Sequence, residues 1–133
     1  EVESKGNELA HAILRGSVSK HGNNHANYHY EDLRKLHDAY CTGNYKNPAV
    51  IVDTNHSNSG KKYLEQVRIA NEVLHSMRHS DDIKNMVKGF MVESYIEDGS
   101  QKVEEGVYGK SITDPCLGWD KTKDMIFTIA EQL

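Results

Sequence analysis

Cysteine is scarce in this chain: the 133 residues contain two, Cys41 and Cys116, far apart and outside any C-x-x-C pair. That pattern supports neither a disulfide framework nor a cysteine-built zinc site, and both are read as free thiols. Long apolar runs are missing too. Nothing approaches the roughly 18 consecutive apolar residues a membrane helix needs. The opening EVESKGNELA has no apolar core of the signal-peptide kind. The chain is therefore expected to be soluble and cytoplasmic, with no membrane partner. Positive charge is not in excess either, with 16 Lys and Arg against 20 Asp and Glu and a formal net charge of −4. The two signs are mixed along the chain and leave no basic stripe to track a phosphate backbone, which argues against nucleic-acid binding. No internal repeat and no low-complexity linker divides it. One unit spanning residues 1–133 is expected. A chain of this size can bury roughly 65–70% of its unfolded surface. It is too short for a complete eight-unit β/α barrel of about 250 residues.

What the sequence does have is histidine, eight in all. Histidine is the commonest metal-ligating side chain and titrates near neutrality, but a count locates no site. Position along the chain is more informative. Residues 10–14 form a short apolar stretch closed by Arg15-Gly16, as a buried strand entering a functional loop would. Residues 17–29, rich in Gly, Asn, Ser and His, show no periodicity and read as loop. His21, His25 and His29 recur every fourth residue, yet Gly22, Asn23 and Asn24 argue against the helix that would align them. Residues 30–41 place Leu33, Leu36 and Tyr40 on one helical face, with Thr42-Gly43-Asn44 as a stop. Residues 49–52, Ala-Val-Ile-Val, are too short for a helix and read as a strand buried on both faces. A helix is predicted over residues 61–77 on the stripe Leu64, Val67, Ala70, Val73, Leu74 and Met77. Ser80 is placed to cap a short helix reaching Val87, and a third strand is predicted over residues 90–92. A long loop then runs to Gly118, and Asp120 reads as the N-cap of a last helix with the face Met125, Ile126, Ile129 and Leu133.

Strand and helix thus alternate three times, which implies βαβ units, a parallel sheet and an α/β fold. Arg15, His56 and Glu93 each closely follow the last apolar residue of a strand, at near-equal intervals of about one enlarged β/α unit. Functional residues at the C-terminal ends of strands are the mark of a β/α barrel. Three parallel strands cannot close a barrel, so the unit reads either as a small layered domain or as part of one. His56, Glu93 and Asp114 offer one imidazole and two carboxylates, a set suited to Mn, Fe, Co or Zn. On spacing alone the signal is weak, and the plainer reading is a loop histidine and two solvated carboxylates, with Arg15 a surface ion-pair partner.

Four segments in order, AILRG (residues 12–16), DTNHSNSGK (residues 53–61), GFMVES (residues 89–94) and YGKSITDPCLGW (residues 108–119), resemble the C-terminal motifs of type I 3-deoxy-D-arabino-heptulosonate 7-phosphate (DAHP) synthases. The resemblance runs over nearly the whole chain. It implies the C-terminal part of a (β/α)8 barrel, about strands six to eight, belonging to a cytoplasmic, homo-oligomeric enzyme. That enzyme condenses phosphoenolpyruvate with erythrose 4-phosphate and releases phosphate, the first step of the shikimate route to aromatic amino acids. It also implies that His56, Glu93 and Asp114 match three of four ligands to one divalent metal, with His56 catalytic as well. Arg15 matches an arginine that binds the phosphate of phosphoenolpyruvate, and the fourth ligand is a cysteine upstream of this chain. Cys116, two residues past Asp114, is accordingly read as a packed thiol. Asp53 reads either as a partner that holds His56 or a water or as a loop-capping aspartate. Lys110 and Ser111 read either as orienting the loop that carries Asp114 or, for the lysine, as simply solvated; neither is counted as catalytic. The chain departs from the family wording in Ser17, where a second glycine is usual, and in Thr54-Asn55, where a serine commonly stands directly before the histidine. By itself the chain is expected to be inactive. The competing expectations are a non-catalytic, self-associating βαβ unit and a related metal-dependent sugar-phosphate synthase or aldolase.

Overall fold

The computed structural model describes residues 1–43 and 45–133. Three parallel strands, β1 (Ala12–Leu14), β4 (Val50–Asp53) and β5 (Val87–Met91), lie in the order β1-β4-β5. Among the described residues four helices accompany them: α1 (Tyr30–Gly43), α2 (Gln66–His79), α3 (Asp81–Met86) and α4 (Trp119–Gln132). The alternation read from the sequence is therefore present as a parallel α/β arrangement. Among the described residues no helix is long and apolar enough to cross a membrane.

The central strand β4 owes its position to a β-branched run whose Val50 and Val52 are completely buried. These two side chains meet Leu33 of α1, Ile69, Val73 and Leu74 of α2 and Ile83 of α3 in one cluster, with Ala12, Leu14 and Phe90 packed on its edge. Each fully buried Leu or Ile there contributes about 1.5–3 kcal/mol by leaving water. Tyr40 ties the lower end of the sheet to α1: its hydroxyl accepts from the Ala12 N–H at 2.9 Å and donates to the Ala49 carbonyl at 2.6 Å.

The structure departs from the sequence reading in several places. The strands are not buried on both faces: helices cover the face bearing Val50 and Val52, whereas Ile13 is 47% and Met91 40% exposed on the other. The first strand is shorter than residues 10–14. The expected loop 17–29 contains a small antiparallel hairpin, β2 (Ser17–Val18) with β3 (Asn24–His25), too short for a periodic signal. Helix α1 runs through Gly43, and the Asn44 stop lies outside the described residues. Residues 61–65 precede α2 in turns, so Leu64 falls off the apolar stripe and is 55% exposed. Ser80 does cap α3, accepting from the Ile83 N–H at 3.4 Å. Strand β5 begins at Val87 instead of Phe90. Lys88 forms a bulge, since Val50 is level with Val87 but Ile51 with Gly89, and this hides the strand from an alternation count. The last helix starts after Gly118, not Asp120: Asp98 Oδ1 takes the Gly118 N–H at 2.7 Å, and the Thr122 hydroxyl donates to the Gly118 carbonyl. Its buried face is Met125 with Ile129, while Ile126 and Leu133 are exposed.

Candidate functional site

The C-terminal ends of the three strands are joined by buried polar side chains. Asn58 donates through Nδ2 to the carbonyls of Asp53 (2.7 Å) and Leu14 (3.0 Å), linking β4 to β1, and its Oδ1 accepts from the Asn27 N–H. Gly16 permits this closeness: its φ is +73°, and a Cβ there would lie 2.7 Å from the His25 carbonyl oxygen and 2.8 Å from Ser57 Cβ. On the other side the Thr54 N–H donates to the Met91 carbonyl of β5 at 2.9 Å.

From this platform β4 delivers His56. Asp53, 1% exposed, accepts the Asn55 N–H with one oxygen and faces His56 Nδ1 at 2.6 Å with the other. A proton on Nδ1 donated to that carboxylate leaves the Nε2 lone pair directed away from it. Strand β5 delivers Glu93, whose backbone is held on both sides by one buried residue. Gln66, with no exposure, accepts the Glu93 N–H and donates to the Glu93 carbonyl, each at 2.9 Å, while also accepting from the Thr54 hydroxyl. Asp114 arrives by a longer path. The segment expected as a loop folds back on itself through the pairs Ser94–Leu117, Gly99–Cys116 and Ser100–Ser111, and this return brings Asp114 beside Glu93.

The three side chains converge. His56 Nε2 lies 3.7 Å from Glu93 Oε1 and 3.7 Å from Asp114 Oδ2, and one donor atom from each residue falls within 4.8 Å of the others. Ligands about 2.0–2.2 Å from one ion lie roughly 3–4 Å from one another, and the two 3.7 Å separations fall in that range for a borderline divalent cation. The Lys61 ammonium donates to Asp114 Oδ1 at 2.8 Å. That bond, then the charges of Lys61, His56 and Arg15, hold the Asp114 carboxyl below the usual range against the opposing effect of its partial burial. Lys61 ends a wide π-type turn over His56–Gly60, donating its N–H to the His56 carbonyl, and its own φ is +62°. A left-handed lysine is strained by about 1–2 kcal/mol. A half-exposed ion pair returns about 0–1 kcal/mol.

Arg15, just past β1, is 58% exposed and its Nε stands 4.0 Å from Asp53 Oδ2. With Gly16, His56, Ser57 and Lys61 it lines an open cleft of about 560 Å³. Ser111 accepts the Thr113 N–H in the turn before Asp114, while Lys110 enters that region through its carbonyl, which accepts from Gln101. Cys116 is buried and donates to the Asp114 carbonyl at 3.3 Å; burial pushes its thiol up. His21 and His25 are exposed on the hairpin segment, and His29 pairs with Glu72. Sequence reasoning missed Gln66 and Lys61. Gln66 sits at the polar start of α2 and carried no signal. Lys61 follows a glycine inside a motif already singled out, which is the one hint that was available.

A model of the family described as DAHP synthetase I matches residues 1–126. The Trp-sensitive phospho-2-dehydro-3-deoxyheptonate aldolase of Enterobacter agglomerans is 36% identical over 132 residues, covering 97% of this chain and 35% of that protein. The phospho-2-dehydro-3-deoxyheptonate aldolase of Haemophilus influenzae is 35% identical over 134 residues, covering 98% and 34%. The solved structure of the aldolase from Francisella tularensis SCHU S4 matches with a TM-score of 0.82 at 28% identity, over 97% of this chain and 36% of that one. The chain spans about a third of the length of these relatives. The four motifs and the matched range point to the same place: the chain belongs to the DAHP synthetase I family.

Proposed function

We propose that this chain supplies strands six to eight, with their helices, of a single (β/α)8 barrel domain. The whole protein, on this reading, is a transferase that condenses phosphoenolpyruvate with erythrose 4-phosphate to give DAHP and phosphate. The observation that carries the proposal is the convergence of His56, Glu93 and Asp114 at the strand ends. Support also comes from the family match over residues 1–126 and from the likeness to the Francisella aldolase.

On this reading His56, Glu93 and Asp114 hold one divalent ion, of the Mn, Fe, Co or Zn class, with a further ligand from outside this chain. These residues would hold an ion whose Lewis acidity, when bound, would serve to polarise the aldehyde of erythrose 4-phosphate for attack by phosphoenolpyruvate. The chain's own residues do the positioning. Asp53 fixes the His56 ring through Nδ1, and Gln66 fixes the Glu93 backbone. Arg15 presents a planar fork of donors on the cleft beside His56, suited to bidentate contact with the phosphate of phosphoenolpyruvate. The whole protein is a cytoplasmic homo-oligomer on this reading. The test is consumption of phosphoenolpyruvate by the full-length protein: it should require erythrose 4-phosphate and stop with chelator. Activity that survives complete metal removal would refute the metal assignment.

A second reading concerns the chain by itself. Strands β1 and β5 are each paired on one side only among the described residues, which leaves two edges open to another copy. On this reading the isolated chain self-associates and catalyses nothing. Size-exclusion chromatography with turnover assays separates the cases, since a monomeric and active species contradicts it.

A further inference from the structure

Lys61 combines two features that stability does not explain. Among the described residues it is the one non-glycine residue with positive φ, directly after Gly60 at φ +61°. Glycine at position 61 would relieve the strain, and the half-exposed ion pair made by the side chain does not compensate for it. Strain retained at the rim of a polar cluster points to a function for the side chain that is strained. The geometry shows which. The backbone of Lys61 is pinned through its N–H to the carbonyl of His56, and its ammonium reaches across to Asp114 Oδ1, so one residue joins two members of the cluster from different loops. The other Asp114 oxygen, Oδ2, is the one that faces His56 Nε2.

We propose that Lys61 is a positioning residue: by occupying Asp114 Oδ1 it keeps Oδ2 turned into the cluster and presents Asp114 as a one-oxygen ligand. Its left-handed backbone is what aims the side chain at that oxygen. The metal half of this inference rests on the reading of His56, Glu93 and Asp114 as ligands. The aiming of Asp114 does not.

The experiment compares Lys61→Gly, Lys61→Met and Lys61→Arg in this chain. In the metal-free protein, hydrogen exchange of residues 111–116 should quicken at least about threefold in Lys61→Met and Lys61→Gly and stay near the parent rate in Lys61→Arg. The thermal midpoint of Lys61→Gly should equal or exceed that of the parent, because the strain is gone. Titration with Co²⁺, followed by its visible absorption, should show about tenfold weaker binding in Lys61→Met, in the range seen for residues that orient ligands. Unchanged exchange in Lys61→Met overturns the proposal, and so does a lowered midpoint in Lys61→Gly, which would make the lysine a structural brace. If the parent fails to bind Co²⁺, or His56→Ala binds it equally well, the metal half of the inference falls for this chain and the exchange result alone decides on Lys61.

Discussion

At the C-terminal ends of β4 and β5 stand His56, Glu93 and Asp114, with Cys116 just beyond. Between α1 and α3, near the opposite end of the sheet, His37, Cys41 and Asp82 line an open cavity of about 410 Å³. Both places gather the side-chain types that hold metals or carry nucleophilic chemistry. At the first, donor atoms from three residues converge within 4.8 Å, and buried residues stand behind two of them: Asp53 behind His56 and Gln66 behind Glu93. At the second, the Cys41 sulfur lies 3.7–3.9 Å from both ring nitrogens of His37, alongside the ring. Asp82, 53% exposed, is taken by Arg34 at 2.7 Å, and this guanidinium, with a smaller contribution from His37, holds its carboxyl below the usual range. What separates the two is the buried support that fixes the donors, not the donors themselves.

The two clusters should differ most at their histidines. His56→Ala should weaken Co²⁺ binding by more than about 100-fold in a chelator competition, beyond the range for orienting residues. His37→Ala should change it less than about twofold. Equal effects would remove the distinction between the two clusters. Next in size, Gln66→Ala should lower unfolding stability in urea by about 2–4 kcal/mol, because it leaves a cavity and an unpartnered Glu93 N–H. It should also weaken Co²⁺ binding, whereas a stability loss with unchanged binding would make Gln66 a core residue only.

The cysteines sharpen the contrast. Iodoacetamide at pH 8 should label exposed Cys41 at least about tenfold faster than buried Cys116. Because burial raises the Cys116 thiol, its thiolate forms at higher pH, and its labelling should keep rising beyond the ordinary thiol value of 9.0. The smallest effect belongs to Asp82→Asn, which should leave the thermal midpoint within about one degree near neutral pH, as exposed ion pairs do. The folded-state pKa of Asp82 is depressed, so any contribution is present above the ordinary carboxylate value and lost as pH falls through the lower folded value. The difference between variant and parent should therefore vanish in acid.

Much of this was legible in the residues. The β-branched run at Val50–Val52 and the stripe from Val67 to Met77 announced β4 and α2, because burial on a fixed period leaves a pattern in sequence. The order of strands and helices followed. His56, Glu93 and Asp114 are readable as strand-end and motif residues, and the family resemblance joins them as ligands of one ion; the path that brings Asp114 to Glu93 is not readable, since it is a fold-back built from isolated pairs without periodicity. The hairpin of residues 17–25 was missed for the same reason. Asp120 reads as a cap because a cap is read locally, whereas Gly118 is fixed by Asp98, twenty residues earlier. Gln66 was invisible: a glutamine bound to another strand's backbone looks in sequence like any polar residue at the start of a helix.

The bulge at Lys88 also governs how the third strand can vary in length. Counted by strict alternation, Val87 and Phe90 would point to opposite sides of the sheet; with one residue standing out of line, both meet the same core. Lys88 is thus a spare step in the chain. Its deletion leaves Gly89 level with Ile51 and Phe90 level with Val52, so Glu93 keeps its place above the strand end. A deletion at Met91 or Val92 has no such slack: it draws Glu93 one position back and turns it to the opposite face, away from His56.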